Sequence, residues 1–356
     1  MLGKRSLGLR SQPIWRWLDE RLGIDAIRYP VPVHANGIAY TLGGITLFGF
    51  AVLGITGIYL SQFYHPHPSE ARTSVIFTVT TVSFGEIVRS LHFWTANLVL
   101  ITMALHVVRI FMTGAFKRPR EVNWLIGVGL AVTTTAFFFT GTVLKWDQEG
   151  YEALVHNEAA ANVLGSLGTF VTTDFTVSVP LLTRIYLVHA STLAVVFLML
   201  VLLHLALVKR HGISELPEPA GEPEPGPVPD SEISHFDIHL RGLIGYGLLA
   251  AVLATILSLA FPAGLGEQVT RGVEETKPPW QFWWLYALEN WGGIGVLLWV
   301  SVAVPIGLAL VPFVDRSRAR NILNRRIIAI VAAAAVVAWV ALTIFVWATP
   351  AAQHLG

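Results

Sequence analysis

Residues 89–109 read RSLHFWTANLVLITMALHVVR, a mostly apolar run carrying two histidines, His92 and His106, with thirteen residues between them. Residues 183–204, TRIYLVHASTLAVVFLMLVLLH, repeat the arrangement with His189 and His204 and fourteen between. An α-helix rises 1.5 Å and turns about 100° per residue, so fourteen steps cover roughly 21 Å and nearly four turns. Each pair therefore lies near one helix face, its members about two-thirds of a roughly 30 Å bilayer core apart. Two such helices side by side are able to clamp one ligand near each membrane surface.

The rest of the composition agrees with a membrane setting. The chain has 356 residues, 54% of them hydrophobic and 13% charged, and a mean hydropathy of +0.60. Such a balance belongs to an integral membrane protein. A net charge of +1 argues against nucleic acid as a partner. Cysteine is absent, which excludes disulfides, iron–sulfur ligation and thioether-linked haem. A redox centre would have to be held by histidine, methionine or oxygen. The first thirty residues are basic and lack an apolar core, so no cleavable signal peptide is expected.

Apolar segments long enough to span a bilayer lie at about 37–63, 87–113, 123–144, 181–208, 240–261, 285–314 and 327–348. The expected fold is all-α, with seven transmembrane helices. Ahead of them, residues 12–29 set Ile14, Trp15, Leu18, Leu22 and Ile27 among charges, the pattern of an amphipathic surface helix. Basic residues collect in alternate connections: Lys4, Arg5 and Arg10 at the start, Lys117, Arg118 and Arg120 after the second span, Lys209 and Arg210 after the fourth, and Arg316, Arg318, Arg320, Arg325 and Arg326 before the seventh. The other connections are richer in acid. The positive-inside rule then puts the N-terminus in the cytoplasm and the C-terminus outside. Residues 213–235, ISELPEPAGEPEPGPVPDSEISH, read as a cytoplasmic linker that buries too little apolar surface to pack. It divides a four-helix part with its surface helix (1–212) from a three-helix part (236–356).

One histidine in a membrane helix often just bonds a neighbouring helix. Four in two matched pairs point to haem, because neutral imidazole is a strong axial ligand and two per iron make a six-coordinate electron-transfer centre. Zinc suits the pattern less, since a structural site wants four ligands converging on one point. Both helices run the same way, so His92 pairs with His189 at the outer iron and His106 with His204 at the inner one. Arg89, Arg109 and Arg184 stand within five residues of these histidines. They are candidates for contact with haem propionates, the alternative being interfacial snorkelling. Gly43 and Gly57 in the first span are fourteen apart, as are Gly127 and Gly141 in the third. Glycine lets a backbone approach a flat cofactor closely, although small residues also serve ordinary helix packing.

With these residues assembled, the chain resembles cytochrome b of the cytochrome bc and bf complexes, from His34 to about Pro350. RSLHFW, HVVRIFMTGAFKRPREVNW, TGTVLKWDQEGY, LLTRIYLVH and HLALVKRHGIS carry the resemblance. The longer histidine gap in the fourth span and the WDQ–GY wording are similar to the chloroplast branch, there split into two proteins and here fused. The resemblance implies two non-covalent haems b and quinol oxidation at the outer face. It further implies a Rieske iron–sulfur protein and a c-type cytochrome as partners, quinone reduction at the inner face, and a homodimeric complex. A fused chain suggests a prokaryotic plasma membrane. A haem-b anchor serving a soluble dehydrogenase is the alternative, but it has no need of the last three spans.

The family usually reads proline, glutamate, tryptophan, tyrosine before the sixth span, the glutamate being a proposed proton acceptor. Here the residues are Pro278, Pro279, Trp280 and Gln281. Proline cannot accept a proton, so Glu289 or Asp147 is expected to do so, unless Glu289 merely faces the aqueous rim. Tyr286 stands where the family has a pocket tyrosine and is the expected polar contact for quinol. Lys145 replaces a customary proline. Thr41 stands where the chloroplast branch attaches an extra haem through cysteine, so no covalent haem is expected. His211, Arg210, Asp237 and Arg241 lie near the inner surface and are candidates to bind quinone, the alternative being ordinary solvated charges; no single one is singled out.

Overall fold

The computed structural model describes residues 13–23, 25, 28–219 and 233–354. Lys4, Arg5, Arg10, Ile27 and the middle of the expected linker, 220–232, lie outside the described residues. Among the described residues, seven helices are long and apolar enough to cross a membrane: α2 (Ile38–Ser61), α4 (Gly85–Met112), α5 (Glu121–Leu144), α7 (Leu181–His211), α8 (Phe236–Ala260), α9 (Trp283–Val314) and α10 (Arg326–Ala348). They match the seven expected spans to within a few residues. Large apolar side chains stay exposed along their outer faces, Ile55, Leu249 and Val337 among them. Lipid, not water, is the solvent for such faces.

Among the described residues there are also three shorter α-helices: α1 (Pro13–Leu22), α3 (Ala71–Thr80) and α6 (Gln148–Val163). The surface helix expected over 12–29 ends early. Gly23 takes a left-handed conformation (φ 59°) and its N–H returns to the Asp19 carbonyl, a glycine stop of ordinary kind.

The spanning helices form pairs. α2 lies along α4, α5 along α7, α8 packs across α2 and α4, and α9 with α10 makes a hairpin against α5 and α6. At the His92 end, Val143, Trp146, Leu154, Leu181, Leu182 and Ile185 make a buried cap over the α5–α6–α7 junction. α9 is broken near its start, where Gly293 at φ 71° interrupts the helical path, a backbone conformation that costs glycine little.

The expected linker is anchored at both described ends, which narrows it. The Glu218 carboxylate accepts the N–H groups of Arg320 and Asn321 and the side-chain amide of Asn324, tying residues 213–219 to the α9–α10 loop. Ile233–His235 pairs antiparallel with Pro30–Pro32. Beneath them, Asp315 binds Lys117 at 3.1 Å and Arg325 at 2.8 Å. These two cations hold its carboxyl below the usual carboxylate range, although burial works the other way. The three-helix part is thus locked onto the four-helix part at the His106 end.

Candidate functional site

The four histidines line the space between the α2–α4 and α5–α7 pairs. His92 lies within electrostatic reach of His189, and His106 of His204. Each ring is backed by one of the four glycines. A Cβ on Gly43 would come to 2.9 Å of His106, on Gly57 to 3.5 Å of His92, on Gly127 to 3.7 Å of His204, and on Gly141 to 3.3 Å of His189. So the fourteen-residue glycine spacing in α2 follows the histidine spacing in α4, and the glycines of α5 do the same for α7.

α7 solves a problem left by its spacing. Fifteen steps at about 100° would carry His204 some 60° past four turns, where fourteen steps fall roughly 40° short. A π-helical turn, Val188–Thr192, contains His189 and interrupts the α-helix. One turn of π-helix absorbs an extra residue, which brings the α7 histidines back into register with those of α4.

Hydrogen bonding fixes the rings at one end. The Thr56 hydroxyl donates to the Val52 carbonyl at 2.8 Å and stands 2.9 Å from His92 Nδ1. Thr140 does the same with Ala136 at 2.7 Å and His189 Nδ1 at 2.8 Å. A hydroxyl has one proton to give, so each imidazole carries its proton on Nδ1 and keeps the Nε2 lone pair free for a metal. At the other end, Nδ1 of His106 and of His204 makes no well-formed hydrogen bond; the backbone of Asn123 faces His204. The signal for the threonines was present in the sequence as a repeated Thr-Gly dipeptide, Thr56-Gly57 and Thr140-Gly141.

The arginines differ from one another. Arg89 donates to the carbonyls of Ala263 and Gly264 at 2.6 and 3.1 Å. Arg184 donates to those of Phe170 and Thr172 at 2.9 and 2.5 Å. Both guanidinium groups therefore anchor loops. Arg109 stacks over the Tyr40 ring at 4.5 Å and keeps a buried Nε without a partner.

A second polar region surrounds the loop between α8 and α9. Trp146 adopts φ 49°, turning the chain out of α5, and Asp147 Oδ1 then accepts the Gly150 N–H at 2.9 Å to cap α6. Asp147 Oδ2 pairs with Lys145 at 3.4 Å, and Lys145 also binds Glu149. Burial pushes the Glu149 carboxyl up, against the pull of Lys145. Gln148 bonds the backbone of Thr270 and Val273, and buried Glu152 accepts the N–H groups of Glu275 and Thr276. Gln148 and Glu152, to which sequence reading gave no such role, thus hold this loop on α6.

Along the loop, Trp280 Nε1 donates to Asn97 Oδ1 of α4 at 3.1 Å, and Trp283 to the Pro278 carbonyl at 2.7 Å. Both polar atoms of the Gln281 amide are buried without partners. The Tyr286 hydroxyl is already engaged, accepting the Ala352 N–H at 2.7 Å and facing its carbonyl at 3.2 Å. Glu289 is only 2% exposed, so the aqueous-rim reading fails. Its Oε1 lies 3.4 Å from His156 Nε2.

Residues 26–212 match the family model described as Cytochrome b/b6/petB. The chain belongs to the cytochrome b family. It is 39% identical over 214 residues to cytochrome b6 of Prochlorococcus marinus (strain MIT 9303), covering 57% of this chain and 97% of the relative. To cytochrome b6 of Trichodesmium erythraeum (strain IMS101) it is 38% identical over 214 residues, covering 57% and 96%. The fold of a chain from a "Hyperthermophilic respiratory Complex III" superposes with a TM-score of 0.78 at 22% identity, covering 94% of this chain and 92% of that one. Hence the fold likeness extends through α8–α10, beyond the b6 alignments.

Membership of the cytochrome b family implies haem binding, and the residues fit the group. Four imidazoles backed by side-chain-free positions, two of them fixed in the tautomer that exposes Nε2, make a donor set suited to haem iron. Arg109, stacked on Tyr40 within electrostatic reach of His106 and not tied to a loop carbonyl, is the arginine best disposed toward a propionate. Arg89 and Arg184, whose donors go to loop carbonyls, are less so.

Proposed function

We propose that the chain is the di-haem redox subunit of a quinol:cytochrome c (or plastocyanin) oxidoreductase, active within its complex. The observation that carries this reading is that His92 lies within electrostatic reach of His189 and His106 of His204, each ring backed by a glycine. Two non-covalent haems b bound there would supply one-electron redox chemistry at two depths of the membrane. The histidine spacing, roughly 21 Å along a helix, suits electron transfer between its two faces.

The chain's own residues hold and position. Thr56 and Thr140 keep a proton on Nδ1 and orient the His92 and His189 rings. At the same end, taken as the outer face, Trp280 and Pro278 line the region where quinol would bind. The unpartnered Gln281 amide is the polar contact proposed for it, because the Tyr286 hydroxyl is occupied by Ala352. Pro279 leaves the quinol proton to Asp147 or Glu289. Asp147 already caps a helix and pairs with Lys145, while Glu289 keeps one oxygen unpartnered. Electrons would pass to a Rieske iron–sulfur protein and a c-type cytochrome on one branch, and to quinone at the inner face on the other. A homodimeric complex in a prokaryotic plasma membrane, with the N-terminus cytoplasmic, completes the proposal.

Amide substitutions test the acceptor. Positioned general bases contribute about 10²–10⁴-fold to rate, so Asp147→Asn or Glu289→Gln should lower quinol oxidation by about a hundredfold or more with both haem signals intact. Unchanged rates in both variants would remove both carboxylates from the reaction.

A further inference from the structure

Four segments far apart in sequence meet at the His92 end of the bundle: α6 with His156, the α8–α9 loop with Glu274, α9 with Glu289, and the stretch after α10 with His354. One ligand atom from each of His156, Glu274 and His354 lies within 4.8 Å of the other two. His156 Nε2 is 3.4 Å from Glu289 Oε1, and His354 Nδ1 is 3.7 Å from Glu274 Oε2. Side-chain exposures are 17% for His156, 1% for Glu289, 7% for His354 and 11% for Glu274.

Both imidazoles are held with a lone pair turned into the cluster. His156 Nδ1 donates to the Glu152 carbonyl at 2.8 Å, which leaves Nε2 as an acceptor. His354 Nε2 bonds Asn290 Oδ1 at 2.6 Å, which leaves Nδ1 as an acceptor. Those two nitrogens, with Oε1 of Glu274 and Oε1 of Glu289, are buried and have no hydrogen-bond partner. Ligand atoms of His156, Glu274 and His354 converge, the Glu289 carboxylate stands against His156, and none of the four unpartnered atoms is a donor. Buried acceptors in that state cost free energy, and two carboxylates among them call for positive charge.

We infer that His156, Glu274, Glu289 and His354 form a binding site for a divalent transition-metal ion of the zinc type. A tetrahedral ion with bonds of about 2.1 Å sets its ligand atoms about 3.4 Å apart, close to the two separations already present. Two imidazoles and two carboxylates suit zinc, whereas calcium and magnesium prefer oxygen alone. Two carboxylates cancel the charge of a divalent ion, as a partly buried site demands. The contacts to Glu152 and Asn290 are the outer-shell bonds that orient metal-binding imidazoles. An open cleft of 130 Å³, lined in part by Tyr151, Glu274 and Gln353, gives an ion its way in. The ion fastens the segment after α10 onto α6 and the loop. A ligated Glu289 is unavailable to a quinol proton, so with the metal bound the acceptor proposed above is Asp147.

The test is metal analysis of the purified, haem-containing complex after loading with zinc alone and desalting. About one zinc per chain is expected, falling at least tenfold in a His156→Ala/His354→Ala double variant whose haem spectrum is unchanged. Cobalt loaded in place of zinc should show the intense visible bands of a tetrahedral site, lost in the same variant. Zinc absent from the wild-type complex, or retained equally by the double variant, overturns the site; a cluster neutralised by protons is then the reading. Neither readout depends on quinol oxidation, so failure here leaves that reading standing.

Discussion

His106→Leu should abolish one haem and spare the other. Leucine fills a similar space but offers no lone pair, and His204 alone gives a single axial bond where the centre needs two. The measured haem content should fall from two per chain to one. The outer centre should survive because its proposed ligands, His92 and His189, belong to a separate cluster. They have their own hydrogen bonds to Thr56 and Thr140 and their own glycines, Gly57 and Gly141. Loss of neither haem would refute the pairing of His106 with His204. Redox titration followed at the haem absorption bands reads the outcome directly, since the surviving centre titrates alone.

The second large effect is expected from a residue that binds nothing. Gly43→Val should reproduce the loss seen with His106→Leu while leaving all four histidines in place. A Cβ at position 43 would stand 2.9 Å from the His106 ring, closer than carbon atoms pack, and the branched methyl groups add to the clash. Ring or helix must then move, and a centre ligated from two helices tolerates little displacement. Gly54 gives the control within the same helix. Its Cβ would meet nothing within 4 Å, so Gly54→Val should keep both haems, and its stability should change by no more than about 0.5 kcal/mol, as for ordinary surface substitutions. Equal haem content in Gly43→Val and Gly54→Val would show that the α2 glycines serve helix packing only.

The spans were legible in the sequence because a bilayer demands twenty or so apolar residues in a row, whatever their partners. So were the four histidines and four glycines, since each pair repeats within one helix and helical arithmetic is local. The π turn at Val188–Thr192 was not, because no residue type encodes it. Only the one-residue excess in the His189–His204 gap betrayed it. Arg89 and Arg184 show a different limit. Their carbonyl partners lie 174 and 12–14 residues away, and proximity to a histidine in sequence said nothing about them. Glu289 is a third case. An acid six residues into α9 reads as an interfacial group, yet the fold buries it against His156 of α6 and within electrostatic reach of Glu274 of the α8–α9 loop. Tyr286 likewise has its hydroxyl engaged by Ala352, a backbone partner 66 residues on.

The central claim is that this one chain carries two bis-histidine haems b at separate depths. A dithionite-reduced minus oxidised difference spectrum of the purified protein, with haem quantified against chain concentration, tests it most directly. Two haems b per chain are predicted; one or none would contradict the account.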